Sequence, residues 1–234
     1  MKNIKSNKKI LSVHGIYSEQ IKLLYSQTTG KLAKIGEDKA FSYSTKLTTD
    51  SKIVQQYYKE KFQVNFIHLP APLDTKKFKD IGEIKKNPNQ IVYVGRDSFE
   101  KGIDILQNIE SKLNGKVVYC TNYPWYKTMK ILKSSKLLIV PSRMESLPQV
   151  IKEAFYLKIP VIATNVGGIS EIIQNEKTGI LIPSENEQEM INAINNLIEN
   201  DSLIDIITKN AFNFINKFYS WDKLLPQYIE LYEK

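Results

Sequence analysis

The chain has 234 residues, 42% of them hydrophobic and 25% charged, with a formal net charge of +8. No stretch approaches the ~18 consecutive apolar residues of a membrane span, so the composition predicts a soluble globular protein and excludes a disordered one. The single cysteine, Cys120, and an N-terminus without an apolar signal segment predict a cytosolic protein. Two histidines and one cysteine are too few for a clustered structural zinc site, so none is expected.

The first 70 residues alternate short β-branched runs with stretches of helical periodicity. This pattern predicts three strands, over 9–13, 46–49 and 65–68, and three helices, over 16–27, 31–43 and 51–61. Three strands are few for an independent sheet with covering helices. The two prolines in Leu69–Asp74 (LPAPLD) then predict a linker.

The positive charge is concentrated in the first third of the chain. Residues 1–90 contain 17 lysines and 8 acidic residues, a net charge of +9, whereas residues 91–234 contain 16 basic and 17 acidic residues, a net charge of −1. A basic face of this kind could attract nucleic acid, an anionic membrane or a phosphorylated ligand. Solubilising lysines are an equally good interpretation, because charge alone selects no partner.

From residue 90 the alternation is regular and predicts a doubly wound parallel sheet. Strand, helix and strand recur in steps of 20 to 25 residues, which is typical of right-handed crossovers with helices on both faces. Ligands of such sheets bind at the carboxyl ends of the strands, so the loops after Val94, Tyr119, Val140 and Ala163 are the predicted site. The predicted strands are 90–94, 116–119, 137–140, 161–163 and 179–182, and the helices are 102–113, 125–134, 148–157, 169–174, 185–199, 202–218 and 221–233.

The first motif is VGRDSFEKG, residues 94–102, directly after a predicted strand. Gly95 allows close backbone approach, and Arg96 and Lys101 place two cations where the next helix begins, which suits a diphosphate. The loop is neither a Walker loop nor a GxGxxG fingerprint, which weakens a dinucleotide oxidoreductase interpretation. Taken alone, the two cations could simply be solvated.

The second motif is PSRMESLPQVIKEAFY, residues 141–156. Ser146 is the predicted N-cap of a helix with Pro148 in its first turn, so backbone N–H groups around Ser146 could bind phosphate. Glu145 in the loop and Glu153 on the helix are eight residues apart and could reach different hydroxyl groups of one ligand. Solvated helix charges are the alternative for both.

The third motif is NVGGISEII, residues 165–173, followed by TGILIP, residues 178–183. Two glycines after a strand allow a tight turn against a ligand, or only a tight turn. By themselves they select no function.

The three motifs, in this order and spacing, resemble the C-terminal domain of family 4 retaining glycosyltransferases of the GT-B fold, over about residues 60–234. The resemblance implies an α/β protein of GT-B type with one complete Rossmann-like domain and a partial N-terminal lobe. It divides the chain into a partial acceptor-side lobe (1–70), a nucleotide-sugar-binding domain (71–216) and a helix that crosses back (217–234). About 100 residues of the usual first domain have no counterpart in the sequence.

The resemblance also implies a set of site residues. Arg96 and Lys101, with Gly95 between strand and loop, would contact the donor diphosphate, and the backbone of Ser146 and Leu147 would contact the pyrophosphate. The side chain of Glu145 would meet the donor sugar. The remaining implied residues are Glu153 at the ribose, Tyr123, Pro124 and Trp125 beside the nucleobase, and His14 near the donor sugar; His14 and Glu145 are the predicted catalytic residues.

The implied activity is transfer of a sugar, with retention, from a nucleotide-sugar donor, UDP- or GDP-linked, to a glycan or lipid-linked hydroxyl acceptor. Neither a cofactor nor a divalent metal is expected. The alternative is a non-catalytic nucleotide-sugar-binding subunit that needs a partner chain. We also expect self-association or a partner through residues 1–68, and peripheral contact with the inner face of a membrane is a further interpretation. No recognised motif supports nucleic-acid binding.

Overall fold

The computed structural model describes residues 6–233 and contains two parallel sheets, each covered by helices. The first sheet has three strands in the order β1-β2-β3, with Val13 opposite Thr49 and Thr49 opposite His68. All three strands and all three helices predicted here are present. Their bounds are β1 (Ile10–Val13), α1 (Tyr17–Leu24), α2 (Gln27–Ser42), β2 (Lys46–Thr49), α3 (Lys52–Phe62) and β3 (Ile67–His68).

Helix α2 begins four residues before its predicted start at position 31. Ser26 and Thr29 cap its N-terminus reciprocally: the Ser26 hydroxyl accepts from the Thr29 backbone N–H, and the Thr29 hydroxyl accepts from the Ser26 N–H. A cap of this kind satisfies two backbone donors at once, with threonine in the place that glutamate usually takes. The hydrophobic periodicity alone therefore placed the start too late.

The second sheet has five parallel strands in the order β5-β4-β6-β7-β8. The five strands and the helices between them lie within a few residues of their predicted positions. Their bounds are β4 (Gln90–Val94), α4 (Ile103–Ile109), β5 (Lys116–Cys120), α5 (Trp125–Ser134), β6 (Leu137–Val140), α6 (Gln149–Tyr156), β7 (Val161–Thr164), α7 (Ile169–Ile172), β8 (Ile180–Ile182), α8 (Glu187–Ile198), α9 (Asp201–Phe218) and α10 (Trp221–Glu233).

The order of the second sheet places its crevice between β4 and β6. Strand β5 extends the sheet on one side of β4, and β6 to β8 extend it on the other, so the direction of winding reverses between β4 and β6. Ligands of open α/β sheets bind at such a reversal. The first motif follows β4 and the second follows β6, and the fold therefore brings them side by side.

Hydrophobic side chains cover both faces of this sheet. Val92 and Leu138 point to one face, against α5, α6 and α9, while Ile91 and Ile139 point to the other, against α4 and α8. Residues at alternating positions of one strand thus enter two separate cores, as a doubly covered sheet requires. The first lobe has its own smaller core around Val54, Tyr58 and Phe66.

The segment Leu69–Asp74 joins the lobes, as the prolines predict, but it is firmly held. The backbone N–H of Leu73 donates to the Tyr219 carbonyl at 2.8 Å, and the Tyr228 hydroxyl donates to the Pro70 carbonyl at 3.2 Å. Lys152, which is fully buried, donates from Nζ to the Ala71 carbonyl at 2.8 Å, and burial lowers the pKa of its amine to about 8. Sequence reasoning missed this lysine, because helical periodicity gives no sign of a buried cation.

Helix α10 returns to the first lobe. The Lys46 ammonium donates to the Leu231 carbonyl at 3.0 Å, and the Lys8 ammonium donates to the Glu233 carbonyl at 2.7 Å. Cations near the carbonyl end of a helix are favourable because they oppose its partial negative charge. Within residues 6–233 we find no helix that is both long and apolar enough to cross a membrane.

Candidate functional site

A cleft of about 530 Å³ lies between the two lobes, at the reversal point of the second sheet. The first lobe contributes His14, after β1, and Tyr57, on α3. The second lobe contributes the loops after β4, β6 and β7. Five of the predicted site residues line this cleft together: His14, Arg96, Lys101, Glu145 and Ser146.

The two predicted diphosphate cations are each paired with a carboxylate. The Arg96 guanidinium donates to Glu100 Oε1 at 2.7 Å; the arginine side chain is 66% exposed and that of Glu100 only 2%. The Lys101 ammonium donates to Glu145 Oε1 at 2.7 Å, and the Ser142 hydroxyl donates to the same oxygen at 2.9 Å. Buried acids therefore fix the position of both cations, while the arginine stays open to the cleft.

The loop after β4 is shaped by a close backbone approach at Gly102. This glycine has φ +66°, and a Cβ atom there would lie 2.1 Å from the Pro141 carbonyl oxygen. Only glycine fits such a position. Gly102 thus lets the Lys101 turn pack directly on the loop after β6, where Glu145 lies.

Arg143, which the sequence analysis did not select, holds the same two loops together. Its guanidinium pairs with both carboxylate oxygens of Asp104 at 2.7 Å, donates to the Phe99 carbonyl at 2.8 Å, and also pairs with Glu185. The Asp104 hydrogen bond raises the pKa of Arg143 and lowers that of Asp104. Arg143 lines the cleft, but its N–H groups are bonded to Asp104, Phe99 and Glu185.

The predicted N-cap role of Ser146 is wrong. Helix α6 begins at Gln149, its N-cap position is Pro148, and no side chain caps it. The Ser146 hydroxyl instead donates to Asp50 Oδ1 in the first lobe, at 3.2 Å. A contact between residues 96 positions apart has overridden a local cap, which sequence spacing does not reveal.

Asp50 is the main site residue that sequence reasoning missed. It is 5% exposed, and its second oxygen, Oδ2, lies 3.0 Å from His14 Nδ1. The hydrogen bond with Asp50 raises the pKa of His14, against the opposing effect of partial burial. Asp50 directly follows β2, so the rule that placed the site at the carboxyl ends of the strands would have found it if applied to the first lobe as well.

The imidazole of His14 should titrate above pH 6.5, the ordinary value, and Asp50→Asn should lower that pKa. NMR titration of the ring protons measures both values. His68, whose pKa is lowered mainly by burial, is an internal reference in the same spectra and should stay below 6.5 in both proteins, because Asp50 acts only to raise it. Because the folded-state pKa of His14 is raised, its pairing stabilises the fold fully below pH 6.5 and less as the pH rises through the raised value. An unshifted His14 would contradict the contact.

The other predicted residues lie outside the lining of the cleft. Glu153 accepts a hydrogen bond from the Trp125 indole at 2.8 Å, and burial raises the pKa of its carboxyl group. Leu147 is buried, and a Cβ on Gly95 would lie 2.8 Å from the Tyr93 hydroxyl. Tyr123 and Pro124 are exposed next to Trp125. The roles that the resemblance implies for these residues stay predictions.

No group of three or more metal-ligating side chains occurs among residues 6–233. Glu100 and Glu145 at the cleft are paired with Arg96 and Lys101, Glu19 is paired with Lys22, and the histidine there, His14, is paired with Asp50. The cleft brings together paired cations, carboxylates and an imidazole.

Comparison with known proteins gives a consistent result. Residues 105–214 match the family model of glycosyl transferases group 1. An uncharacterized glycosyltransferase of Methanocaldococcus jannaschii is 24% identical, over 93% of this chain and 64% of its own, and the alpha-D-kanosaminyltransferase of Streptomyces kanamyceticus is 22% identical, over 80% and 60%. The chain thus spans less than two thirds of the length of these relatives.

Solved structures show the same fold. The chain superimposes on Staphylococcus aureus TarM, determined with UDP, with a TM-score of 0.79 at 18% identity, over 99% of this chain and 52% of that one. Sucrose-phosphate synthase from Thermosynechococcus elongatus gives a TM-score of 0.78 at 17% identity, over 96% and 67%. These likenesses, with the two parallel α/β sheets, confirm the predicted GT-B type of fold.

Proposed function

We propose, starting from the match to group 1 glycosyl transferases, that this chain binds a nucleotide sugar between its lobes and transfers the sugar, with retention, to a hydroxyl acceptor. The observation that carries this proposal is the meeting of His14, Arg96, Lys101 and Glu145 in one interlobe cleft. The relatives whose activities are named include a kanosaminyltransferase and a galactosyltransferase, and two structural neighbours, TarM and Anabaena HepE, were solved with UDP.

The cations of the cleft suit a departing nucleoside diphosphate. When the bond between the anomeric carbon and the phosphate oxygen breaks, its electron pair goes to the diphosphate, and the Arg96 guanidinium and the Lys101 ammonium would stabilise the added negative charge. Both are held in place by Glu100 and Glu145 before any ligand binds, so little reorganisation is needed. The acceptor hydroxyl would attack the face that the diphosphate leaves, with its proton passing to a phosphate oxygen.

Glu145 and His14 would act on the sugar. Glu145 Oε1 is occupied by Lys101 and Ser142, which fixes the carboxylate at the edge of the cleft where sugar hydroxyl groups can donate to it. His14 lies across the cleft and is oriented by Asp50. We propose no covalent nucleophile, in keeping with an oxocarbenium-like transition state.

Calorimetric titration with UDP, GDP and the corresponding monophosphates tests the proposal. A diphosphate should bind more tightly than its monophosphate, and Arg96→Ala should remove most of that difference, because the guanidinium is the more exposed of the two cations. Incubation with the matching sugar nucleotide and analysis of the product anomer by NMR then tests transfer and retention. Equal binding of diphosphate and monophosphate by the unaltered chain would refute the assigned site.

A second candidate function is nucleotide-sugar binding without turnover, as one part of a larger assembly. It is the alternative given in the sequence analysis, and the chain spans 60–64% of the length of the two relatives described above. Both candidates predict donor binding, and only a turnover measurement separates them. Tight donor binding without transfer to any acceptor tested would favour the second candidate.

We also infer a peripheral contact through α1 and α2. Five large apolar side chains on these helices and in their connection are at least 41% exposed, and Lys22, Lys31 and Lys39 are exposed as well; the apolar residues are Tyr17, Leu23, Tyr25, Leu32 and Ile35. Apolar surface surrounded by lysines fits an anionic membrane.

Replacing Leu32 and Ile35 by serine should therefore weaken binding to phosphatidylserine vesicles about tenfold or more, because each buried apolar side chain contributes roughly 1.5–3 kcal/mol. Sedimentation with the vesicles measures the effect, and neutral vesicles are the control. Equal sedimentation of both proteins would refute the contact, and association in light scattering without lipid would assign the surface to a second copy.

A further inference from the structure

The carboxylate of Glu171 spans the two lobes. Glu171 lies on α7, in the second lobe, yet all three of its hydrogen-bond donors belong to the first lobe. The Ser51 hydroxyl donates to Oε1 at 2.7 Å, the Ile53 N–H donates to Oε1 at 3.0 Å, and the Lys52 N–H donates to Oε2 at 2.9 Å. Both oxygens are therefore used, and every bond crosses the interface.

These donors form the first turn of helix α3. The hydroxyl of its own N-cap, Ser51, accepts from the Val54 N–H at 3.3 Å and donates a hydrogen bond to Glu171. A carboxylate at this end of a helix makes charge-assisted hydrogen bonds with N–H groups that lack partners within the helix, and it also opposes the partial positive charge of the helix. An eleven-residue helix of one lobe is thus capped by a side chain of the other.

The capped turn is adjacent to the cleft. Asp50, which orients His14 and accepts from Ser146, is the residue before Ser51. In the second lobe, Gly168 is the N-cap of α7, the helix that carries Glu171. A Cβ atom on Gly168 would lie 2.0 Å from the Ser146 carbonyl oxygen. The contacts of Glu171 therefore fix the turn that carries Asp50 against the loop that carries Ser146.

From this geometry we infer that Glu171 is a positioning residue that sets the spacing between the two sides of the cleft, and so the distance of His14 from Glu145, without contacting the substrate. The inference rests on the proposed function only in its expected effect on the rate of sugar transfer. The interlobe clamp itself is independent of what the cleft binds. Glu171 does not line the cleft, which separates it from the residues proposed to hold the donor.

If Glu171 only stabilised the fold, its substitution would give a different experimental result. If Glu171 served only to stabilise α3, its loss would lower the unfolding free energy and leave the distance between the lobes of the folded protein unchanged. If it positions the lobes, Glu171→Gln, which removes the charge at nearly constant shape, should let the folded protein sample a wider range of interlobe distances.

Double spin labelling measures this distance directly. Lys59, on α3, and Lys209, on α9, are exposed and lie in different lobes, and Cys120 is only 3% exposed, so the labels can be carried by Lys59→Cys and Lys209→Cys. Glu171→Gln should broaden the distance distribution. Glu176→Gln is the matched control, because Glu176 is an exposed acid in the same lobe, five positions away, and it should leave the distribution unchanged. Glu171→Asp, one methylene shorter, gives a second comparison if the glutamine variant unfolds, and it should broaden the distribution as well.

Steady-state transfer kinetics supply the functional result. Glu171→Gln should lower kcat about tenfold or more, because a misplacement near 1 Å is costly, and it should leave the KM of the donor within about twofold. An unchanged distance distribution would overturn the clamp. A broadened distribution with unchanged kcat would overturn its role in positioning. If the unaltered chain binds donor but shows no transfer, the proposed activity is contradicted, and the distance measurement alone decides the clamp.

Discussion

Lys101→Ala is expected to lower the rate of sugar transfer about a hundredfold or more. The ammonium group lies 2.7 Å from Glu145, whose side chain is only 9% exposed, and both line the cleft. The substitution removes a cation from the place where the diphosphate acquires charge. It also leaves a nearly buried carboxylate without its counter-ion, next to a negatively charged ligand. Both effects should lower the rate of sugar transfer.

The comparison of kcat and KM for the donor measures this loss. Lys112→Ala is the control, because this lysine is exposed and lies in the same connection between β4 and β5. The single variant Glu145→Gln and the double variant with Lys101→Ala separate the two causes: equal rates of these two variants would mean that Lys101 acts mainly by neutralising Glu145. Transfer by Lys101→Ala within twofold of the unaltered protein would refute the assignment.

Gly167→Ala should destabilise the protein by about 2–4 kcal/mol and weaken nucleotide binding as well. Gly167 has φ +51°, and a Cβ there would lie 1.8 Å from the carbonyl oxygen of Glu145 and 2.9 Å from its carbonyl carbon. Backbone atoms cannot yield as a flexible side chain does, so either the loop after β7 or the loop that bears Glu145 has to move. The Glu145 carboxylate would then leave its position beside Lys101.

Urea unfolding and calorimetric titration with UDP measure the two effects. Gly36→Ala is the matched control: Gly36 lies within α2, and no atom comes within 4 Å of the Cβ that the substitution adds. That control should be neutral or stabilising by up to about 1 kcal/mol, since alanine is the better helix former. Equal stability of the two variants would contradict the close approach at Gly167.

The order of elements was predictable because each strand of the second sheet carries a local signal. The run Leu137–Val140 is fully buried, and helices α4 and α6 each begin one residue after the predicted starts at Gly102 and Pro148, which are their N-cap residues. Parallel crossovers then require the carboxyl ends of β4 and β6 to face the same edge, which brought Arg96, Lys101 and Glu145 into one cleft. Local pattern and general topology were sufficient for that part of the site.

The contacts between the lobes were not predictable in this way. Ser146 has the sequence context of an N-cap, yet its hydroxyl is taken by Asp50, and Glu171 looks like an exposed acid on a short helix but caps α3, about 120 residues away. No spacing in the sequence predicts such pairs, because they depend on how the two lobes pack against each other. The burial of Lys152 has the same origin, since its partner is the carbonyl of Ala71 in the joining segment.

The return of α10 to the first lobe makes the completion of that lobe's packing a late event in folding. The Lys46 ammonium meets its acceptor 185 residues further along the chain, and the Lys8 ammonium meets one 225 residues away. Closing loops of this length costs more entropy than forming the local pairs within either sheet, although each doubling adds only about 0.6 kcal/mol. Contacts of such high sequence separation slow folding. During synthesis, the strands β1 to β3 therefore leave the ribosome well before the helix that packs beside them, and they await residues 221–233 with that surface uncovered.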